Sequence, residues 1–589
     1  MPKLSSRSFR LLDFNIYDKE RENMDDHSDS SSDDSKKFNI SDKKQFIIQM
    51  FGINEKGRTC SILVDDFKPF FFIKVHDNFT NADRVQFINY IGNKIGAYYK
   101  NSICNNKLIE RKKLYGFDGG RNHKFVLLQF ENTLCMNKVK NLFYGYENKR
   151  RVLLRNGYVY KNHSMFLYEG NIPPLLRFFH VNEISPSGWI NIPHDKAKQV
   201  FKKTTTCDYE YEISYKHIVP LNDKETIVPY KICSFDIEAS SSHGDFPLPV
   251  KTYKKLAQNI MDVIIESATE NNGKPLINKD DIRAMIMSAF GYGVYDKIER
   301  IYCKVPLNEE QVNNLIDALF SNPVKNMLQY NNDVELVEAA YEKTWEAQIE
   351  SNENDIDGDD QTHNNNDEPL YSNKIAAPKV KKVENKAKIY DIITTFPSNG
   401  KVDREGLITL LNKSLNAIFP PVQGDKITFI GSTFLKYGEE KPYLNHCIAL
   451  DTCSHVDGAI IDSYDDEKKV MLAWTELIQK ENPDIIIGYN IFGFDYEFMF
   501  RRAIENNIVN SFLKLSRNRD EMCASRDYKT NVLKIEESSI VIASGQHDLK
   551  FIKMNGRLQV DLYNYFRRDY NLTSYKLDYV AGYFIGDSV

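Results

Sequence analysis

Three carboxylates stand out by type and position. Asp236 and Glu238 lie two residues apart in KICSFDIEAS, a stretch that predicts a β-strand, so their side chains project from one face while Cys233, Phe235 and Ile237 face the other. Two acids sharing one small volume repel unless a hard cation lies between them, and Mg2+ favours one or two carboxylates completed by water and phosphate oxygens. An isolated D-x-E is more often a pair of solvated acids at a strand end, so by itself it decides nothing. The third acid, Asp495, sits in NPDIIIGYNIFGFDYEFMFRRA, where a buried β run leads through Gly488, Tyr489 and Asn490 to the mouth of a helix. Tyr496, Met499, Phe500, Ala503 and Ile504 recur at i, i+3, i+4, i+7 and i+8 and mark that helix's inner face. Asp495 then falls at or just before the first turn, where an ordinary N-cap is the simpler explanation.

The elements that must position these acids can be read from the texture of the chain. At 589 residues and 42% hydrophobic it exceeds what one core usually holds, which predicts two or three domains. A strand over Phe9 to Ile16 is followed by residues 18–44, too polar to offset the entropy of ordering and expected to be a disordered loop. In FIIQMFGINEKGRTCSILVDDFKPFFFIKV two strand-like runs surround a Glu-Lys-Gly turn and a third is entered through Pro69, which predicts one small antiparallel sheet. Helices are expected over Arg84 to Ile95 and Met136 to Phe143, with a strand over Phe125 to Phe130 between them. Residues 1–230 thus read as an α+β domain. An α/β domain begins at 231, breaks off after 250 and resumes over 420–589, with a helix at Asp466 to Lys480, a buried strand at Asp484 to Ile487 and the helix from Asp495. Between its parts, 251–419 reads as a helical insertion: Leu256, Ile260, Val263, Ile264 and Ser267 keep the 3.6 period, as do Leu407, Leu411, Leu415 and Ile418. Within it, about 350–388 is low in complexity and expected to be disordered. The fold class is a multidomain combination of α+β and α/β.

Composition narrows the function. A net charge of -5 means that nucleic acid can be met only through local basic patches. ENKRRVLLRNGYVYKNH, with Lys149, Arg150, Arg151 and Arg155, and RKKLYGFDGGRNHK mix cations with aromatics as phosphate-tracking, base-stacking surfaces do; a solvated basic face is the even-handed alternative. The nine cysteines are scattered without a C-x-x-C pair, which fits reduced intracellular thiols better than a disulfide framework or a zinc module. There is no run of eighteen apolar residues and no secretory leader, so neither membrane insertion nor secretion is expected. No phosphate loop, nucleophile elbow or H-E-x-x-H supports an ATPase, esterase or metalloprotease.

In combination the motifs carry a resemblance. SFDIEASSSHGDFP resembles the first exonuclease motif of family B DNA polymerases, and GYNIFGFDYEFM resembles the second, with its N-x-x-x-F-D core. The lead-in SYDDEKKVMLAWTELIQKENPDIIIGYN, the following GRLQVDLYNYFRRDYNLTSYKLDYVAGYFIG and the upstream YEGNIPPLLRFFHVNEISPSGWI resemble the corresponding delta-type segments, in the same order. The resemblance implies a ribonuclease H-like domain that digests a single-stranded 3′ end with two Mg2+ ions, or Mn2+ in their place. Asp236 would bridge both ions, Glu238 would bind the water-activating ion, and Asp495 would hold the second. Asn490 and Phe494 would grip the frayed strand, unless they are merely a turn residue and a core aromatic. The implied partners are primer-template DNA with its single-stranded 3′ end, the remainder of the polymerase chain, and a sliding clamp or accessory subunits, in a nucleus or at a viral replication site.

The third exonuclease motif, Y-x-x-x-D, is not met in its family position. Tyr565 to Asp569 and Tyr583 to Asp587 have the spacing but align upstream of it, and the palm strings D-x-x-S-L-Y-P-S and Y-G-D-T-D-S are absent. The chain is therefore expected to be the N-terminal and proofreading part of a polymerase, cut before that motif and inactive or poorly active alone. Two alternatives stay open. A stand-alone 3′ to 5′ exonuclease would need all four acids, and a non-catalytic DNA-binding or split-polymerase module would bind DNA without metal.

Overall fold

The computed structural model describes residues 7–20, 44–113, 117–147, 150–241, 244–271, 274–328, 338, 387–395, 403–527, 531–542 and 545–586. The first part of the chain forms two sheets where the sequence suggested one. Ser8–Glu20 pairs with Lys44–Ile53, which forms a hairpin with Thr59–Val64. These three lie at the centre of a seven-stranded sheet that later strands complete on both sides. The strand entered through Pro69, Phe70–Lys74, does not join them; it pairs with Asn122–Phe130 and His163–Tyr168 in a separate five-stranded sheet. Its alternation explains why: Phe71 and Ile73 are buried in a core of their own with Phe87 and Ile91 of the helix Asn81–Ile95. That helix starts earlier than expected because Thr80 and Asp83 close a capping box, satisfying two otherwise unpaired N–H groups. The second helix, Thr133–Asn141, likewise starts at an Asn132 cap. The loop expected over 18–44 is shorter at both ends, since Asp18 to Glu20 pair with Lys44 to Phe46; residues 21–43 lie outside the described ones.

Lys231–Ser240 is a central strand of a mixed six-stranded sheet. It runs antiparallel to Lys426–Lys436 on one side and parallel to Ile485–Gly488 on the other, and Leu558–Asp561 continues the sheet in parallel beyond Ile485–Gly488. Leu444–Leu450 and Ile460–Tyr464 complete the opposite edge. Cys233, Phe235 and Ile237 are buried under Trp474 of the helix Glu467–Glu481 and Tyr496 and Met499 of the helix Asp495–Glu505. Burial of this apolar face at roughly 25 cal/mol per Å² fixes which side of the strand Asp236 and Glu238 occupy.

The segment between Ser240 and Lys426 is helical, as its periodicity predicts. Lys254–Glu270, Lys279–Ala289, Glu309–Ser321 and Arg404–Ile418 share a separate core in which Leu256, Ile260, Ile264, Leu411 and Leu415 are buried, with Val263, Leu407 and Ile418 at its edge. Of the low-complexity stretch at 350–388, all but Ala387 and Lys388 lies outside the described residues. The fold is a mixed α/β multidomain arrangement.

Candidate active site

Asp495 is 2% exposed. It is not the N-cap of its helix: that position belongs to Phe494, and no side chain caps the turn. The Asp495 carboxylate turns toward the sheet, where Oδ1 accepts the Ile237 N–H at 3.3 Å and the carboxyl meets that of Asp236 in a side-chain hydrogen bond. Asp236 Oδ1 accepts the same Ile237 N–H at 3.0 Å. Two carboxyls can bond to each other only if one carries a proton. Burial, and then the charge of Asp236, push Asp495 well above the ordinary carboxylate range, and partial desolvation raises Asp236 although it is exposed on the strand. The two carboxyls face each other where ionising both is disfavoured, and their oxygens are the hard donors that a divalent cation would neutralise.

Glu238 is exposed on the same strand face as Asp236, and a β-bulge falls just after it. Among the described residues no three His, Cys, Asp or Glu side chains stand close enough to hold a metal ion. The expected convergence of three acids is therefore a convergence of two. The residues fit a divalent ion at the Asp236–Asp495 pair, with Glu238 one strand pleat away.

The loop that aims Asp495 is built by an acid that sequence reasoning passed over. Asp561 ends the strand beside Ile485–Gly488 and is buried. Its Oδ1 accepts the N–H groups of Asn490 and Tyr563 at 2.9 Å each, and its Oδ2 accepts the Phe492 N–H at 3.0 Å and Asn564 Nδ2 at 2.9 Å. Burial raises Asp561 despite these donors. The available signal was L-Q-V-D-L, an aspartate closing a short apolar strand at a helix start, where it also caps Leu562–Asp569. Gly488 is needed where it stands, because a Cβ there would lie 2.4 Å from Ile491 Cγ2 and 2.8 Å from the Phe235 carbonyl. Asn490 takes a left-handed φ of 62° and its carbonyl accepts the Gly493 and Phe494 N–H groups at 2.9 and 3.0 Å. The structure thus gives Asn490 the turn role. Phe494 packs partly into the core, 5.6 Å from Phe246 and 5.2 Å from Phe498 between ring centroids.

The far end of the same helix is locked by charge. Ile504, expected on the inner face, is 38% exposed, whereas Arg502 is fully buried. Arg502 donates to both oxygens of Glu467, at 2.9 and 2.6 Å, and pairs with Glu505 at 2.8 Å. Glu467 also accepts the Ile427 N–H at 2.9 Å. A buried bidentate pair of this kind fixes geometry more than it adds stability, and here it fixes the helix that carries Asp495 against the sheet.

The basic residues expected to meet nucleic acid lie on exposed segments of the N-terminal part. Arg151 lies 4.3 Å over the Tyr144 ring and bonds Asn141, and Arg155 reaches Glu147 at 3.8 Å. Arg150 is exposed on the strand Arg150–Leu153, and Lys149 lies outside the described residues.

This sheet, with a carboxylate on its central strand meeting another at a helix start, matches a known class. Residues 165–283 and 408–580 match the family model described as DNA polymerase family B, exonuclease domain, and the break falls inside the helical insertion. The chain belongs to the family B DNA polymerases. It is 41% identical to a DNA polymerase of Phaeocystis pouchetii virus over all of its length and 55% of the relative's. It is 31% identical to a DNA polymerase of Pyramimonas orientalis virus over 96% of its length and 41% of the relative's. To the DNA polymerase delta catalytic subunit of Oryza sativa subsp. japonica it is 34% identical over 29% of its length and 14% of the relative's. The chain spans about half the length of the viral relatives it matches.

Proposed function

We propose that this chain carries the 3′ to 5′ proofreading exonuclease of a replicative DNA polymerase, and that Asp236 and Asp495 are its metal-binding acids, with Glu238 as the third donor. The observation that carries this reading is the meeting of exposed Asp236 and buried Asp495 between the central strand and the helix mouth. Paired divalent ions, Mg2+ or Mn2+, would supply water activation and stabilisation of the departing 3′ oxygen there. The protein's own part is placement. Asp236 stands on a strand with hydrogen-bonded neighbours on both sides, Asp495 is aimed by the loop that Asp561 ties, and the Ile237 N–H holds both carboxylates at one point. Phe494 and Phe246 offer an aromatic edge for the bases of a single strand. The substrate is the frayed 3′ end of primer-template DNA, and the work is intracellular, in a nucleus or at a viral replication site. Polymerisation, a clamp and accessory subunits belong to the remainder of the polymerase.

The test is binding of a 5′-labelled single-stranded oligonucleotide to the chain, in EDTA and in Ca2+, which supports binding without turnover. The expected result is tighter binding in Ca2+, lost in Asp236→Ala, with at most slow shortening when Mg2+ is added. Binding that ignores both the cation and Asp236 would favour the non-catalytic module instead. Rapid Mg2+-dependent digestion abolished by Asp495→Ala would show that this chain needs no fourth acid.

A further inference from the structure

Glu536–Ile542 pairs antiparallel with Gly545–Phe551 in a two-stranded hairpin. Its outer strand is exposed from Glu536 to Val541, so the hairpin is held to the domain through its inner strand. Three contacts of that inner strand reach the loop that aims Asp495. Successive N–H groups of a strand point to alternate sides, and the Lys550 N–H points away from the outer strand to donate to the Phe492 carbonyl at 3.1 Å. Phe551 packs on Phe492 with ring centroids 5.4 Å apart, and Phe492 in turn stacks with Tyr496, the residue after Asp495, at 6.1 Å and 24°.

The third contact runs through side chains. His547 is 5% exposed, and its Nδ1 lies 3.3 Å from Asn564 Oδ1. Asn564 stands in the first turn of Leu562–Asp569 and donates from Nδ2 to Asp561 Oδ2 at 2.9 Å, the oxygen that also accepts the Phe492 N–H. Each bond fixes the sense of the next. Asp561 accepts four N–H donors, so Asn564 presents its NH2 to that acid and its oxygen to His547. An amide oxygen only accepts. His547 must therefore carry its proton on Nδ1, and the chain of donors runs one way, from the hairpin to the acid that ties the active-site loop.

We propose that His547 is a positioning residue for the candidate nuclease site. By donating from Nδ1 it keeps the Asn564 amide turned toward Asp561, and so couples the hairpin to the loop that aims Asp495. The proposal rests on the reading of Asp495 as a metal-binding acid.

The experiment compares the 589-residue chain with His547→Phe, which keeps a ring and removes the donor, and with His547→Asn, whose Nδ2 can stand where Nδ1 stands. Amide hydrogen exchange over residues 488–496 and Mn2+ binding are measured on each, with Val541→Ser, at a position 76% exposed on the outer strand, as the control. His547→Phe is expected to raise exchange over the loop about 3- to 10-fold and to weaken Mn2+ binding by a similar factor, the scale of one lost buried hydrogen bond. His547→Asn should return both to near the parent, and Val541→Ser should move neither. In the parent, long-range 1H–15N spectra of the histidine-labelled chain should show the Nδ1–H tautomer at His547. Loop exchange in His547→Phe within about twofold of the parent, or no recovery in His547→Asn, would overturn the proposal. So would an Nε2–H tautomer, which is read on the parent itself and decides the matter even where His547→Phe folds poorly. Mn2+ binding by the parent that ignores Asp236→Asn would sink the nuclease reading instead, while loop exchange and the tautomer still decide the role of His547.

Discussion

Asp561 makes no contact with the two acids of the site, yet it controls where one of them points. Replacing it with Asn keeps the shape and exchanges one acceptor oxygen for an NH2 group. If the remaining oxygen keeps the Asn490 and Tyr563 N–H groups, the new NH2 faces the Phe492 N–H and the Asn564 amide. Asn564 can turn its own oxygen to meet it, but the Phe492 N–H cannot, so one buried donor loses its partner at a cost of about 1–3 kcal/mol. Asp561→Ala strips the acceptor from three backbone N–H groups and should cost more, about 3–5 kcal/mol. Because two of these groups, Asn490 and Phe492, belong to the 488–494 loop, the loss should appear there as local opening. Amide hydrogen exchange over residues 488–496 is expected to rise about 5- to 100-fold in Asp561→Asn, at tenfold per 1.4 kcal/mol, with the strand Lys426–Lys436 unchanged. Exchange within twofold of the parent across that loop, in both variants, would refute the positioning role.

Other consequences follow from the same contacts. The raised Asp236–Asp495 pair favours the protonated state in the folded protein. Its stabilising contribution is therefore complete below the ordinary carboxylate range and is lost as pH rises through the raised value. In EDTA the melting temperature should fall with rising pH across that window, and either Mg2+ or Asp495→Asn should flatten the slope; an identical slope in the variant would contradict the raised pair. Arg502→Met leaves Glu467 as a buried acid without its cation, while Glu505 keeps Lys304 at 3.1 Å, and should destabilise by about 3–5 kcal/mol in urea unfolding, whereas Arg502→Met combined with Glu467→Met should recover much of the loss. A double variant no better than the single one would show that the pair is not the lock.

Much of this was legible because the side-chain period was. The alternation in KICSFDIEAS put Cys233, Phe235 and Ile237 inside and both acids outside, and the 3.6 period found the insertion helices, since burial of apolar faces is what selects register. What could not be read was long-range pairing. Nothing local distinguishes a third strand of the first hairpin from the Phe70–Lys74 strand of a second sheet, because the partners, Asn122–Phe130 and His163–Tyr168, lie 50 to 90 residues on. Ile504 went to the wrong face because the stripe counts apolar residues only, while Arg502 is buried through Glu467, 35 positions upstream.

The central claim is that Asp236 and Asp495 share a divalent ion, and Mn2+ binding followed by electron paramagnetic resonance tests it most directly. The chain should bind Mn2+ in competition with Mg2+, and Asp236→Asn and Asp495→Asn should each weaken that binding at least tenfold. Equal Mn2+ isotherms for the parent and both variants would contradict the account.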